Sequence, residues 1–229
     1  MMGSLVSSER ILQALKSVAV EREKRIAEPV LAHSVLAVKA YQHQRFSQTY
    51  ADLLASPRFA GAARFFLEDL YGPGDFIERD RQFARVVPAL VRLFPSELVS
   101  TVAMLAQLHA LSEKLDTLMG AALIGQEINR GTYAHAWRVC GCEPERALQI
   151  DLTVQVGAAL DRYTRKVMLR QTLRLMRSPA QLAGLSALQH FLERGFDTFR
   201  ALGGADEFLR TISTRERRLA AELFEDRAT

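Results

Sequence analysis

The sequence predicts an all-α protein, a single compact bundle of about eight to ten helices with no substantial sheet. Three observations predict it. Apolar residues recur at spacings of three and four along the whole chain, and no alternating apolar–polar run survives. Helix formers dominate: 229 residues contain only 7 Pro and 13 Gly, with 48% hydrophobic and 24% charged. Helix-start signals also recur, each a short polar residue with Glu or Gln three positions on.

Taken in order, a first helix is expected over Ser8–Glu28, bounded by Pro29. A second, Val30–Leu54, carries Leu31, Val35, Val38, Phe46, Tyr50 and Leu53 on one stripe and stops at Ser56-Pro57. Arg58–Tyr71 follows, with Phe59, Ala63, Phe66 and Leu70 as its core face, ended by Gly72-Pro73-Gly74. Asp75 and Glu78 form a capping-box-like pair, and Pro88 predicts a kink or break near Val87. Ser96–Met119 is the most apolar helix. Gly120–Gly125 is a joint, and a shorter helix reaches Val139. Pro144–Arg177 reads as nearly continuous, ~50 Å if unbroken, with Gly157 its weak point. Ser178-Pro179-Ala180-Gln181 starts a helix that ends before Gly203-Gly204. Ser213-Thr214-Arg215-Glu216 is expected to open the last, which runs to Phe224.

Residues 1–229 are accordingly read as one domain, with Gly120–Gly125 the only candidate boundary. A chain of this length buries enough surface to need no disulfide or metal. Its start does not read as a signal peptide, and no run of 18 apolar residues would span a membrane. Cys140 and Cys142, in a Cys-Gly-Cys step, make a poor disulfide pair, so a reducing, cytoplasmic setting is expected. The 30 basic residues are 25 Arg and five Lys, yet the net charge is only +4 and the signs are mixed. That balance does not describe a dedicated nucleic-acid binder.

The run Phe65-Phe66-Leu67-Glu68-Asp69-Leu70-Tyr71-Gly72-Pro73 resembles the signature of bacterial FFLEELY-motif proteins, with Asp69 in place of the final acidic letter. The flanking Thr49–Leu54, Asp75-Phe76 and Arg79-Asp80, and the later Phe191–Phe196, are similar too. The resemblance implies a bacterial, cytoplasmic, helical protein and carries over no catalytic residue. Read from the residues alone, Phe66 and Leu70 are core, Glu68 pairs locally with Arg64, and Tyr71-Gly72-Pro73 stops the helix.

Few patterns carry chemistry. No His has an acidic residue three positions before it, as an inward-facing di-iron step would need. His135, Cys140 and Cys142 lack a fourth zinc ligand. Phosphate-binding glycine loops and a nucleophile elbow are absent. A single axial His, His43 or His109, leaves haem open, although His109 has Glu113 as a local partner. No cofactor is specified.

One feature rises above background. Arg162, Lys166, Arg170 and Arg174 recur every four residues, with Arg177 beside them and apolar residues on both flanks. On one helix they would form a cationic strip within a ~120° sector. The strip either meets the protein's own acids, such as Glu68, Asp69, Glu78 and Asp80, or lines a groove for an anionic ligand or acidic partner. The sequence thus favours a non-enzymatic binding or interaction protein contacting a small anionic ligand or an acidic protein through this face. A homo-oligomer and a regulatory role are compatible with it. The alternative is a helical enzyme or cofactor carrier of haem-oxygenase-like or ferritin-like build.

Overall fold

Proline sets the first boundaries. In the computed structural model, which describes residues 2–70 and 77–225, α1 (Met2–Ala27) stops just short of Pro29. Pro29 then opens α2 (Pro29–Thr49), at a position where its missing N–H forfeits no hydrogen bond. The predicted stripe from Leu31 to Leu53 is buried. The helix carrying it is not continuous, however: Tyr50 leaves helical geometry (φ −116°, ψ 25°) before α3 (Ala51–Ala55). The Tyr50 hydroxyl donates to Glu216 Oε1 at 2.8 Å, a tertiary anchor that local periodicity cannot register.

α4 (Ala60–Phe65) starts later than Arg58 and widens into a π-helical turn, Phe66–Leu70. The turn lets Phe65, Phe66 and Leu67 all be buried, which three successive α-helical positions would not favour. The proposed cap at Asp75 lies outside the described residues. α5 (Ile77–Leu93) runs through Pro88 without a break, one of the two outcomes, kink or break, expected there. Pro88 faces solvent, where water can satisfy the carbonyl that its ring leaves unbonded.

α6 (Ser96–Ala122) is buried on several faces, and the joint follows it at 123–128. α7 (Arg130–Cys140) begins on a capping box the sequence reading missed. Asn129 Oδ1 accepts from Gly131 N and Thr132 N, and Thr132 Oγ1 accepts from Asn129 N at 3.0 Å. Gly141 closes this helix with φ 59°.

The long helix expected over Pro144–Arg177 is divided into α8 (Glu143–Thr164), α9 (Val167–Leu175) and α10 (Arg177–Leu182). The break falls at Arg165–Lys166, not at Gly157. Thr164 Oγ1 donates back to Asp161 O at 2.9 Å and Lys166 turns extended, which ends the ladder locally. Gly157 is instead a packing site: a Cβ there would stand 2.5 Å from Leu209 Cδ2. The start signal at Ser178 falls inside α10, and Gly184 (φ 68°) breaks the run before α11 (Ser186–Leu202). The last helix, α12 (Asp206–Phe224), begins well before Ser213, with Asp206 and Glu207 complementing its N-terminal dipole. These divisions raise the number of helices above the expected eight to ten. No strand occurs among the described residues.

α6 lies along α1 and α2 and meets α7 and α8; α8 in turn packs against α11 and α12. One apolar cluster joins Phe46, Tyr50, Phe65 and Phe66 to Phe199 and Phe208. A second surrounds Met119, Tyr133 and Trp137, and a third joins α1 to α5 and α6 through Ile11, Val87 and Val99. Between the first two clusters the helices leave a cavity lined by both charged and apolar side chains. No helix among the described residues is long and apolar enough to cross a membrane.

Candidate functional site

The break at Arg165–Lys166 divides the cationic strip. Arg162 ends α8, Lys166 precedes α9, Arg170 and Arg174 lie on α9, and Arg177 opens α10. Two of the five meet acids of α11: Arg170 pairs with Asp197 at 2.8 Å and Arg177 with Glu193 at 2.6 Å. Lys166 stands 5.5 Å from the Tyr163 ring. Among the described residues, Arg162, Lys166 and Arg174 form no ion pair.

The acids expected opposite the strip are engaged elsewhere. Glu68 and Asp69 meet Arg194, so Glu68 does not pair with Arg64. Glu78 binds Arg81 and Gln82. Asp80 lies 2.7 Å from both Arg22 Nη2 and His109 Nε2, which replaces the expected His109–Glu113 contact. His135 is exposed, and Cys142 Sγ donates to Cys140 O at 3.1 Å. Among the described residues no three His, Cys, Asp or Glu side chains are grouped as metal ligands.

A different set of polar residues converges at the centre. α6 turns His109, Ser112, Glu113 and Asp116 inward at i, i+3, i+4 and i+7. α8 does the same with Arg146, Gln149, Ile150 and Thr153. α2 adds Lys39, Gln42 and Arg45, α7 adds Tyr133 and Trp137, and α12 adds Glu216. They enclose a cavity of about 90 Å³.

Most charges in its wall are paired. Glu113, 4% exposed, accepts from Lys39 Nζ at 2.8 Å and from Arg25. Burial opposes its ionisation, but these two cations hold its carboxyl at a pKa of about 2. Asp116 accepts from Gln42 at 3.2 Å and has Lys39 at 3.5 Å. Burial dominates there and pushes its pKa up. Arg45 Nη1 binds Glu216 Oε1 at 2.7 Å; burial works against the Arg45 charge, and Glu216 together with Tyr133 and Tyr50 outweighs it, raising its pKa.

Arg146 is different. It is 6% exposed, its guanidinium lies 4.3 Å from the centre of the Trp137 ring, and it donates to Gln149 Oε1 at 3.2 Å. No carboxylate among the described residues comes within ion-pair distance of it, although Asp116 of the same wall is near enough to feel its charge. A guanidinium carries five donors, and this one spends a single bond inside the protein. Two further donors of the same wall, Arg45 Nε and Trp137 Nε1, are buried with no hydrogen-bond partner among the described residues. Buried donors are nearly always satisfied, so these two, beside a guanidinium with donors to spare, set the cavity's chemistry: it accepts hydrogen-bond acceptors, negative ones above all.

Residues 21–229 match a family described as Domain of unknown function (DUF8198). The chain belongs to this family. No curated protein and no solved structure matches it. The DUF8198 region contains every residue named in the cavity wall, from Lys39 to Glu216, and the whole divided strip.

Sequence reading missed this cavity because it sought cations on an exposed stripe. The available signal was polar residues at core spacing, as in Arg146, Gln149 and Thr153 on α8.

Proposed function

We propose that the protein is a non-enzymatic helical binding protein whose ligand is a small anion taken up in the cavity between α2, α6, α7, α8 and α12. The observation that carries this reading is Arg146, a buried guanidinium stacked on Trp137 without a carboxylate of its own among the described residues. A planar anion could take two of its N–H groups side by side, with Trp137 Nε1 and Arg45 Nε as further donors. Size bounds the ligand. A cavity of about 90 Å³ is smaller than the ~150 Å³ that admits benzene, so a phosphate- or carboxylate-sized group fits. A cytoplasmic location and kinship with the bacterial FFLEELY-motif proteins belong to the same proposal; two free thiols support a reducing compartment.

The test uses inorganic phosphate and acetate as probes, with calorimetry and thermal melts on the parent and on Arg146→Met. At 100 times Kd a bound anion adds about 2.7 kcal/mol of stability, several degrees in melting temperature for a chain this long. Arg146→Met removes a buried charge and keeps an unbranched apolar stem. It should melt at or above the ligand-free parent and bind neither anion. No saturable binding by the parent, or undiminished binding by Arg146→Met, would overturn the reading.

A further inference from the structure

A second surface, which shares no residue with the cavity wall, carries an independent observation. α9 and α10 hold the most exposed large apolar side chains of the second half of the chain: Met168 at 80%, Leu175 at 78% and Leu182 at 91%. Met168 and Leu175 are seven residues apart and so share one face of α9. The opposite face, with Leu169 and Leu173, is only partly exposed; α9 packs against α8 and α11. These outward side chains, a crest along two consecutive helices, take no part in the core.

The charge carried by this stretch of the chain is one-signed. From Arg162 to Leu192 the sequence contains six basic residues and no acid. Arg165, Arg170 and Arg177 are answered by Asp161, Asp197 and Glu193, which lie outside that stretch. Arg162, Lys166 and Arg174 are exposed and form no ion pair among the described residues. Cations without an ion pair among the described residues thus lie along the same stretch as the protruding apolar side chains.

The shape selects the partner. An amphipathic peptide docks in a hydrophobic groove. The cleft beside α9, between Leu173 and Phe196, amounts to only about 10 Å³, too small for a side chain. Side chains that project almost fully into solvent need a deformable acceptor. A lipid surface provides one: leucines enter the acyl boundary while Arg and Lys stay at the level of the phosphates. We infer that the α9–α10 crest docks the protein reversibly onto an anionic lipid surface. Three unpaired cations and a few apolar side chains give a weak attachment that salt weakens further.

Flotation with vesicles tests this, comparing phosphatidylcholine alone with an equimolar mixture containing phosphatidylserine. The parent should float with the anionic vesicles only and lose most of its binding in high salt. Leu175→Ser with Leu182→Ser keeps every charge and should cut binding roughly tenfold or more. Arg162→Gln, Lys166→Gln and Arg174→Gln together should cut it by about a hundredfold, at roughly fivefold for each cation removed. All five positions are exposed, and circular dichroism checks that the variants remain folded. Equal binding to neutral vesicles, no binding to either, or parent-like binding by both variants overturns the inference. So does a parent dimer that the leucine variant splits without lipid, since the crest would then be covered by a second copy. Equal binding of the crest to a single-stranded oligonucleotide would likewise reduce it to bare charge.

Discussion

Gly120 of α6 lies against the backbone of Val35 in α2: a Cβ built on it would stand 3.1 Å from Val35 N and 2.4 Å from Val35 Cγ2. The same approach lets Ser34 Oγ donate to Gly120 O at 2.7 Å. Gly120→Ala must therefore separate two helices, and should cost about 2–3 kcal/mol in urea unfolding. Gly157→Ala meets only the side-chain end of Leu209, which can turn without parting two helices, and gains about 1 kcal/mol of helix propensity, so it should cost less. Equal costs for the two would mean that the α2–α6 contact is not the tight one.

Phe66 and Glu68, neighbours in the π-helical turn, should behave oppositely. Phe66 is 1% exposed and packs edge-on to Phe208, so Phe66→Ala should cost about 3–5 kcal/mol. Glu68 and its partner Arg194 are both substantially exposed, and Glu68→Ala should cost under about 1 kcal/mol. A double-mutant cycle on Glu68 and Arg194 measures the pair directly. A coupling above about 2 kcal/mol would contradict the assignment.

The divided strip should tolerate loss of charge. Arg170→Gln with Arg174→Gln removes one half-exposed pair to Asp197 and one cation without an ion pair among the described residues. The melting temperature should fall by no more than a few degrees, in line with a surface pair worth at most about 1 kcal/mol. A much larger drop would show that these cations hold α9 in place.

Acid should weaken the fold partly through Glu113. Its folded pKa of about 2 lies below the ordinary 4.5. The stability it contributes is present above pH ~4.5 and lost as pH falls toward 2, to the order of 3 kcal/mol. Asp116, with a raised pKa, works in the opposite sense: its contribution declines as pH rises through its raised folded value. Urea unfolding of the parent and of Glu113→Gln at pH 5 and pH 3 separates the two. The variant should show a shallower loss on acidification, and an unchanged slope would remove Glu113 as the cause.

The helical class and most buried stripes were legible in the sequence because burial imposes a periodicity of 3.6 on apolar residues, as in Leu31, Val35 and Val38. Breaks set by tertiary partners were not. Tyr50 leaves its helix with its hydroxyl on Glu216, 166 positions later, and Gly157 stays helical because Leu209 packs on it. The strip depended on a continuous helix, so one break at Arg165–Lys166 undid its geometry. The cavity was illegible for another reason. Lys39, Glu113 and Arg146 are charged residues that look like surface until five helices bring them face to face.

Glu113 also fixes how the helices index against one another. Its carboxylate holds Arg25 of α1 and Lys39 of α2 simultaneously. Sliding either helix along α6 by one turn, about 5.4 Å, would keep much of an apolar interface in contact. It would also strand opposite charges, each less than 15% exposed, in a poorly polarisable interior. Apolar side chains forgive a shifted neighbour; a carboxylate gripped by two cations does not. Three-helix alignment in this protein is thereby set by ionic indexing, and Glu113→Leu would be expected to give a looser ensemble of packings even where it preserved helix content.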